Sequence, residues 1–191
     1  EVGKVGVTPV ERWEIEQALR ETETDVLSKV RSVAELARIR ERATATGRTA
    51  VFANGCFDIL HVGHVVLLQK ARSFGDMLIV GLNSDASIRR LKGPERPILR
   101  GEERALMLSA LSWVDHIVFF DDDTPIDLIE RLLPDVLVKG ADYANKAVVG
   151  REIVEGRGGR VELVPLRPEI STSSIVDRIR QAEEGGELPS R

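Results

Sequence analysis

Two histidines three residues apart, His61 and His64, have the spacing to bind a phosphate group together. They end the segment Asn54-Gly-Cys-Phe-Asp-Ile-Leu-His-Val-Gly-His64, which lies between a short apolar run and a stretch with helical apolar spacing. At a strand-to-helix turn, the free amides and the partial positive charge of the helix N-terminus attract phosphate, and imidazoles add directed donors. Gly55 and Gly63 let a phosphate approach the main chain. The segment therefore predicts a polyphosphate site.

Two other interpretations of this segment stay open. The three-residue spacing also suits two metal ligands on one helical face, but no third ligand is evident, since Cys56 and Asp58 precede the turn and His116 lies in a distant strand. A purely structural interpretation makes His61 a helix cap, His64 a half-buried core residue and Asp58 an acceptor of hydrogen bonds from loop amides. Phosphate binding is favoured because the strand, the glycines and the helix follow one another in the required order.

The elements that would position the histidines follow from alternating apolar runs and amphipathic stretches. Strands are predicted over residues 50–53, 77–82, 116–120, 135–138 and 160–164. Helices are predicted over residues 63–74, 84–91, 102–111, 125–133, 148–155 and 173–182. This alternation predicts an α/β fold with a doubly wound, Rossmann-like sheet of five parallel strands and helices on both faces. Such sheets bind ligands at the carboxyl ends of their strands, where the histidine turn falls.

Local residue patterns predict several boundaries. Thr124 followed by Pro125 predicts an N-cap with proline at the first helical position. Ser32 and Glu35 have capping-box spacing, which predicts a further helix that stops near Gly47 and packs on the sheet edge. The resulting domain covers residues 32–183, with an N-terminal extension over residues 1–31 and a flexible tail over residues 184–191.

The composition narrows the class of function. A chain of 191 residues with 42% hydrophobic residues predicts one main domain with a full core. Its 27 basic and 31 acidic residues nearly cancel, so neither nucleic acid nor a membrane surface is an expected partner. The single cysteine, Cys56, cannot form an internal disulfide, and no apolar run is long enough for a signal sequence or a membrane span. These observations favour small-molecule chemistry in the cytoplasm.

The histidine segment resembles the H-x-G-H signature of the nucleotidyltransferase superfamily. Further shared pieces accompany it, namely Asn83-Ser84-Asp85, Lys92-Gly93, Glu103-Arg104 and Ile170-Ser-Thr-Ser-Ser174. The resemblance covers residues 50–181 and implies an enzyme that transfers a nucleoside monophosphate and releases pyrophosphate. It also implies nucleotide contacts from Asn54, Gly55, Cys56, Phe57, Asp58, Gly63, Ser171, Thr172 and Ser173.

Within this superfamily, four stretches look most like D-glycero-β-D-manno-heptose 1-phosphate adenylyltransferases, which make ADP-heptose from ATP for lipopolysaccharide or surface glycans. They are Leu91-Lys-Gly-Pro-Glu-Arg-Pro97, Asp123-Thr-Pro125, Leu133-Pro-Asp135 and Leu137-Val-Lys-Gly-Ala-Asp-Tyr143. The closing Arg167-Pro-Glu-Ile-Ser-Thr172 also resembles glycerol-3-phosphate cytidylyltransferases, although these have one more residue between Glu169 and Ile170. Transfer from CTP therefore stays the second hypothesis.

The resemblance implies a role for each candidate residue. His61 and His64 are expected to donate hydrogen bonds to phosphate oxygens in the transition state, and neither is expected to act as a nucleophile. Lys92 and Arg104 are expected to place positive charge at the phosphates. The acceptor sugar phosphate is expected to contact Asp85, Lys139, Asp142 and Tyr143. Mg²⁺ is expected to accompany ATP, held mainly by phosphate and water without a protein metal site.

The N-terminal extension carries two hypotheses. Val5-Gly-Val-Thr-Pro-Val10, followed by Ile15 and Leu19, resembles the closing segment of ribokinase-like sugar kinases. Because heptose adenylyltransferases are often fused behind such a kinase, the extension is expected to be the tail of a heptose kinase. Alternatively, the amphipathic stretch over residues 12–27 is a helix that packs on the domain or pairs with another copy. Both hypotheses place the extension outside the active cleft.

Three other classes of protein fit the sequence less well. A nucleotide sensor without catalytic activity has no need of His61, His64, Lys92 and Arg104 together. A Rossmann oxidoreductase is disfavoured because no G-x-G-x-x-G follows any predicted strand. A protein-interaction domain would leave the phosphate turn without a purpose.

Overall fold

The centre of the protein is a sheet of five parallel strands. The computed structural model describes residues 27–140, 148–165 and 172–183. The strands are β1 (Ala50–Gly55), β2 (Met77–Asn83), β3 (His116–Phe120), β4 (Val136–Gly140) and β5 (Arg160–Val164). Their order is β3-β2-β1-β4-β5, and every neighbouring pair is parallel. The ends of all five strands lie within two residues of the prediction, and the predicted α/β fold is confirmed.

Helices cover both faces of this sheet. In the described ranges they are α1 (Val33–Ala45), α2 (Val62–Arg72), α3 (Asp85–Lys92), α4 (Gly101–Ser109), α5 (Ile126–Leu132), α6 (Arg151–Glu155) and α7 (Thr172–Glu183). Alternate residues of β1 point to opposite faces. Val51 and Ala53 lie in a core with residues of α2 and α4, whereas Ala50 and Phe52 lie in a core with residues of α1, α5 and α6. This two-sided packing is why the central strands β1 and β2 are apolar along most of their length, whereas the edge strand β5 carries Arg160 and Glu162.

Helix α1 begins as its capping box predicts, but it does not pack on the sheet edge. The Glu35 amide donates to Ser32 Oγ (3.3 Å), and the Ser32 amide donates to Glu35 Oε2 (2.8 Å). Leu36 is fully buried in the core formed with Ala50 and Phe52 of the central strand. The predicted edge position is therefore wrong, because the apolar stripe of α1 is buried only over a face of the sheet.

Two helix starts also differ from the prediction. Helix α5 begins at Ile126 with Pro125 as its N-cap, so Pro125 is not the first helical residue and Thr124 is not the cap. Helix α6 begins at Arg151, three residues later than predicted, because Gly150 has a left-handed φ of 88° that a helix cannot continue. Neither change moves a strand or the turn that contains the histidines.

The folded domain starts upstream of the predicted boundary at residue 32. Leu27–Lys29 form one turn of 3₁₀ helix, and Val30 forms a parallel bridge with Ile117 of β3. The Arg31 amide donates to the Ile117 carbonyl (2.8 Å). Residues 1–26, with the kinase-like stretch, and the predicted tail over residues 184–191 lie outside the described residues. Across the described part of the chain, no helix combines the length and hydrophobicity needed to cross a membrane.

Candidate active site

The candidate site lies at the carboxyl ends of β1 and β4. From β1 the sheet continues to β2 and β3 on one side and to β4 and β5 on the other. In open parallel sheets, ligands bind in the crevice where the strand order reverses in this way. Two predicted site residues meet across this crevice, because Lys139 Nζ near the end of β4 donates to Asn54 Oδ1 near the end of β1.

The two histidines lie together where the chain enters α2. His61 is the N-cap residue of this helix, and its Nδ1 accepts a hydrogen bond from the Gly63 amide (3.2 Å). A neutral His61 therefore carries its proton on Nε2. The His61 and His64 rings are stacked, with their centroids 3.8 Å apart and their planes 25° apart. The helix start and the histidine pair thus combine amide and imidazole donors in one place.

Phe57 supports His64 from the other side. Its ring is buried, and its centroid lies 4.9 Å from that of His64 at an interplanar angle of 56°. The backbone of Phe57 has a φ of 47°, a left-handed conformation that is strained for a bulky residue. A Cβ atom at Gly55 would lie only 3.2 Å from Phe57 Cε2, so glycine leaves room for the ring. Phe57 thus packs against an imidazole of the histidine pair.

Both imidazoles are held in the neutral form near pH 7. Burial, the neighbouring His61 and the charge of Lys92 lower the pKa of His64 to about 4. Burial and the charge of Lys92 also lower the pKa of His61. The positive charge of Lys92 thus opposes protonation of both rings. A neutral imidazole still donates one N–H hydrogen bond, so the pair can bind an anion without being protonated.

The low pKa of His64 makes stability depend on pH. The folded state keeps this ring neutral down to a pH of about 4, whereas the unfolded chain takes up a proton near 6.5. Acid therefore favours the unfolded state, and the free energy of unfolding should fall as the pH drops through this window. Urea unfolding at pH 7 and pH 5 should show a smaller decrease for His64→Gln than for the parent protein. An equal decrease in both proteins would contradict the shifted pKa.

The Asp58 carboxylate accepts three hydrogen bonds from a single loop. Its fully buried carboxylate accepts hydrogen bonds from Arg96 Nη1 (2.6 Å), the Ile98 amide (2.7 Å) and the Leu99 amide (3.1 Å). A buried carboxylate with three donors has no free surface for a ligand, and its negative charge would repel a phosphate. The predicted direct contact of Asp58 with the nucleotide is therefore not what the geometry supports, and Asp58 instead ties a loop to the histidine turn.

Arg104 is also buried, and its guanidinium group donates hydrogen bonds to groups within the protein. Its guanidinium group is 0% exposed and donates to the carbonyls of Leu99 (3.1 Å), Cys56 (2.6 Å) and Asn83 (2.9 Å). It also forms an ion pair with Asp85 (2.7 Å). The planar fork of an arginine suits such a set of partners. Arg104 therefore joins the ends of β1 and β2 to the start of α4, and four of its five N–H donors are used within the protein by a side chain that has no exposed surface.

The structure describes only some of the remaining predicted site residues. Burial raises the pKa of the Cys56 thiol, whose Sγ lies 3.9 Å from Asn83 Oδ1, so this thiol is a poor nucleophile. Thr172 is buried at the first residue of α7. Ser173 follows it in that helix, and its side chain is not among the described ones. Ser171, Asp142 and Tyr143 lie outside the described residues.

One residue near the site was missed by the sequence analysis. Arg96 lies in the Lys-Gly-Pro-Glu-Arg-Pro stretch that was noted only for its resemblance to other proteins. Its ion pair with Asp58 connects residues 38 positions apart, which no local pattern predicts. The only available signal was an arginine placed between two prolines in a loop close to a predicted phosphate site.

An open parallel sheet with a paired-histidine turn at its switch point defines a nucleotide-binding α/β domain. The chain belongs to the cytidylyltransferase-like family, whose model matches residues 52–178. The predicted membership of the nucleotidyltransferase superfamily is thus confirmed.

Curated relatives are similar over nearly the whole chain. The bifunctional protein HldE of Syntrophotalea carbinolica is 52% identical over 185 residues, which cover 97% of this chain and 38% of that protein. The bifunctional protein HldE of Geobacter sulfurreducens is 55% identical over 181 residues, which cover 95% of this chain and 37% of that protein. The chain therefore spans a little over a third of the length of these relatives.

Two solved structures are similar to the chain. The lipopolysaccharide core biosynthesis protein from Thermoplasma volcanium is 28% identical with a TM-score of 0.51, covering 63% of this chain and 98% of that one. The pantoate-beta-alanine ligase from Francisella tularensis, solved in complex with beta-gamma ATP and beta-alanine, has a TM-score of 0.57 over 81% of this chain and 76% of its own. At 14% identity, the second structure shows the fold alone.

Proposed function

We propose that this domain transfers AMP from ATP to D-glycero-β-D-manno-heptose 1-phosphate, giving ADP-heptose and pyrophosphate. The observation that carries the proposal is the pair of neutral, stacked histidines at the start of α2, beside the switch point of the sheet. The stretches that resemble heptose adenylyltransferases support the choice of sugar. The identity to long bifunctional relatives supports an origin as one part of a longer protein, in which a heptose kinase would supply the sugar phosphate.

The reaction needs no covalent intermediate. An oxygen of the sugar phosphate attacks the α-phosphorus of ATP, the bond from that phosphorus to the bridging oxygen breaks, and pyrophosphate leaves with the bonding electrons. The attacking phosphate is already ionised at neutral pH, so no general base is required. The work of the protein is to align the two phosphates and to stabilise the charge of the transition state.

The described geometry suggests how the residues share this work. His61 donates through Nε2–H, because its Nδ1 is occupied by the Gly63 amide. His64 donates to a neighbouring phosphate oxygen, and Lys92 adds a mobile positive charge beside both rings. Arg104 and Asp58 act indirectly by holding the turn and its loop. For the nucleotide we retain Ser171, Thr172 and Ser173, and for the acceptor sugar we retain Asp85, Lys139, Asp142 and Tyr143.

Mg²⁺ enters this proposal as part of the nucleotide substrate. Within residues 27–140, 148–165 and 172–183, no cluster of three or more histidine, cysteine, aspartate or glutamate side chains is suited to hold a metal ion. Magnesium is commonly bound through substrate phosphates and water with few protein ligands, which fits this site. Because ATP is the donor, we place the reaction in the cytoplasm.

A pyrophosphate-release assay tests the proposal directly. ATP and CTP are each combined with heptose 1-phosphate and with glycerol 3-phosphate, and the value of kcat/KM is compared across the four pairs. We expect ATP with heptose 1-phosphate to give the highest value. Faster release with CTP and glycerol 3-phosphate would favour the cytidylyltransferase hypothesis, and binding of ATP without release for any pair would favour a nucleotide sensor.

A further inference from the structure

The backbone of Phe57 is held in an unusual conformation by contacts on both sides of it. Its φ of 47° is costly for a bulky residue, and such a conformation persists only where the surroundings enforce it. On the N-terminal side, the Cys56 carbonyl accepts a hydrogen bond from Arg104 Nη1 (2.6 Å). On the C-terminal side, the buried Asp58 carboxylate accepts hydrogen bonds from Arg96 and from two loop amides. The contacts of its two neighbours therefore fix Phe57 in this conformation.

In this conformation the Phe57 ring lies against the second histidine. The distance and angle between the Phe57 and His64 rings, 4.9 Å and 56°, fall in the range of favourable aromatic contacts. His64 also stacks against His61, so its imidazole contacts two rings. The space for the Phe57 ring depends on Gly55, because a Cβ atom there would lie only 3.2 Å from the ring. Backbone and neighbours thus place a rigid apolar ring beside a candidate catalytic group.

No hydrogen bond at Nδ1 fixes the orientation of the His64 ring. This atom is buried and has no hydrogen-bond partner among the described residues. The nearby Ile59 carbonyl raises the pKa of His64, but it makes no hydrogen bond to Nδ1. A histidine that acts in catalysis is often oriented by a hydrogen bond to the ring nitrogen that does not face the substrate. Here the orientation of the ring depends instead on packing, and the buried Phe57 ring supplies it.

We propose that Phe57 is a positioning residue that orients the His64 imidazole toward the triphosphate. The inference rests on the proposed nucleotidyl transfer and deepens it, because the sequence resemblance implies only a direct nucleotide contact for Phe57. Since Phe57 acts through His64, it affects turnover rather than the binding of ATP. Its left-handed backbone and the glycine at position 55 serve this placement.

Pyrophosphate release from ATP and heptose 1-phosphate tests this role in the parent, Phe57→Leu, His64→Ala and the double variant. Leucine is apolar but lacks the flat ring, and Leu133, with a φ of 45°, shows that leucine adopts such a backbone conformation in this chain. We expect Phe57→Leu to lower kcat about ten- to one hundredfold, the scale of a misplaced catalytic group, with little change in the KM for ATP. Because Phe57 acts through His64, the double variant should be no slower than His64→Ala.

The matched control is Phe52→Leu, which removes a phenylalanine ring from the same strand region. Phe52 is fully buried in β1, in the core that does not include Phe57. This variant should lose stability, because it replaces a buried ring by a smaller side chain, but it should keep the kcat of the parent. A loss of kcat in Phe52→Leu equal to that in Phe57→Leu would show a general effect of core substitutions and would overturn the positioning role.

NMR spectra of protein with isotope-labelled histidine follow the orientation of the His64 ring without relying on turnover. The stacked rings should give nuclear Overhauser effects between the ring protons of His61 and His64 in the parent and in Phe52→Leu. These effects should weaken in Phe57→Leu, because the imidazole loses the ring that packs against it. If Phe57→Leu does not fold by circular dichroism, Phe57→Met takes its place with the same expected results.

The outcomes separate this inference from the proposed function. Unchanged kcat or unchanged Overhauser effects in Phe57→Leu would overturn the positioning role while the histidine site stands. A raised KM for ATP, with equal losses of kcat in the presence and absence of His64, would show that Phe57 contacts the nucleotide directly and would also overturn it. A parent protein that releases no pyrophosphate would overturn the proposed function, and the NMR comparison would still decide whether Phe57 orients His64.

Discussion

His61→Ala and His64→Ala are each expected to lower the turnover number by about two to three powers of ten. This is the scale on which enzymes lose activity when a preorganised donor to the transition state is removed. His61 has its Nε2–H free at the start of α2, and the pKa of both rings is lowered, so the loss reflects a hydrogen bond rather than a charge. Pyrophosphate release at saturating ATP measures the effect.

Two further variants make the histidine experiment specific. His61→Asn offers a good helix cap but is too short to reach a phosphate, so it should lose turnover while keeping its stability. His116→Gln alters the remaining histidine, which starts β3 at the opposite edge of the sheet, and it should retain turnover. Near-normal turnover in both alanine variants would return these residues to the structural interpretation. Equal losses in His116→Gln would point to a general effect on folding.

The second large effect concerns stability. Arg104→Ala is expected to lower the free energy of unfolding by about 3–5 kcal/mol, because it removes one partner of a buried ion pair and leaves three carbonyls without their donor. Arg104→Lys should recover little of this, since an ammonium group cannot reproduce the fork that contacts four partners. Urea unfolding followed by circular dichroism measures both variants.

The matched control is Arg100→Ala, which removes an exposed arginine of the nearby Arg100–Glu103 pair. Arg100 has a side chain that is 85% exposed and only a 3.9 Å contact with Glu103, so its removal should change stability by less than about 0.5 kcal/mol. If Arg104→Ala is as stable as Arg100→Ala, the buried network does not hold the turn. A stable but inactive Arg104→Ala protein would then indicate that Arg104 contacts a phosphate directly, as the sequence predicts.

The strands and the histidine turn could be predicted because they depend on patterns within short stretches of sequence. Apolar runs, capping residues and glycines act on their neighbours, and the turn that follows β1 was identified from eleven consecutive residues. The buried network of Arg104 could not be predicted in this way, and for Asp58 the local pattern left a nucleotide contact and the acceptance of loop amides as alternatives. Their residue types suit a ligand, but apart from the Leu99 carbonyl, which is five positions from Arg104, the partners that use their hydrogen-bonding groups lie 19 to 48 positions away in the chain.

The predicted position of α1 was wrong for a related reason. A capping box predicts where a helix begins, but it carries no information about which surface receives the apolar side. That surface is built by strands that lie far along the chain. The ion pair between Arg40 and Asp135, which are 95 positions apart, illustrates this separation. Local chemistry therefore predicted the elements, and only the assembled sheet shows which polar groups remain free for a substrate.

The pairing of β1 with β4 has a consequence for how the enzyme acquires activity during synthesis. Asn54 accepts a hydrogen bond from Lys139, and the Ala50 amide donates to Asp135, and the residues of each pair are 85 positions apart in the sequence. Closing so long a loop costs entropy before any contact compensates for it, so such pairings form late in folding. A nascent chain that has exposed β1, α2 and β2 already contains both histidines but lacks the second wall of the crevice. Binding of the acceptor sugar phosphate, to which Lys139 is assigned, should therefore appear only after β4 has left the ribosome.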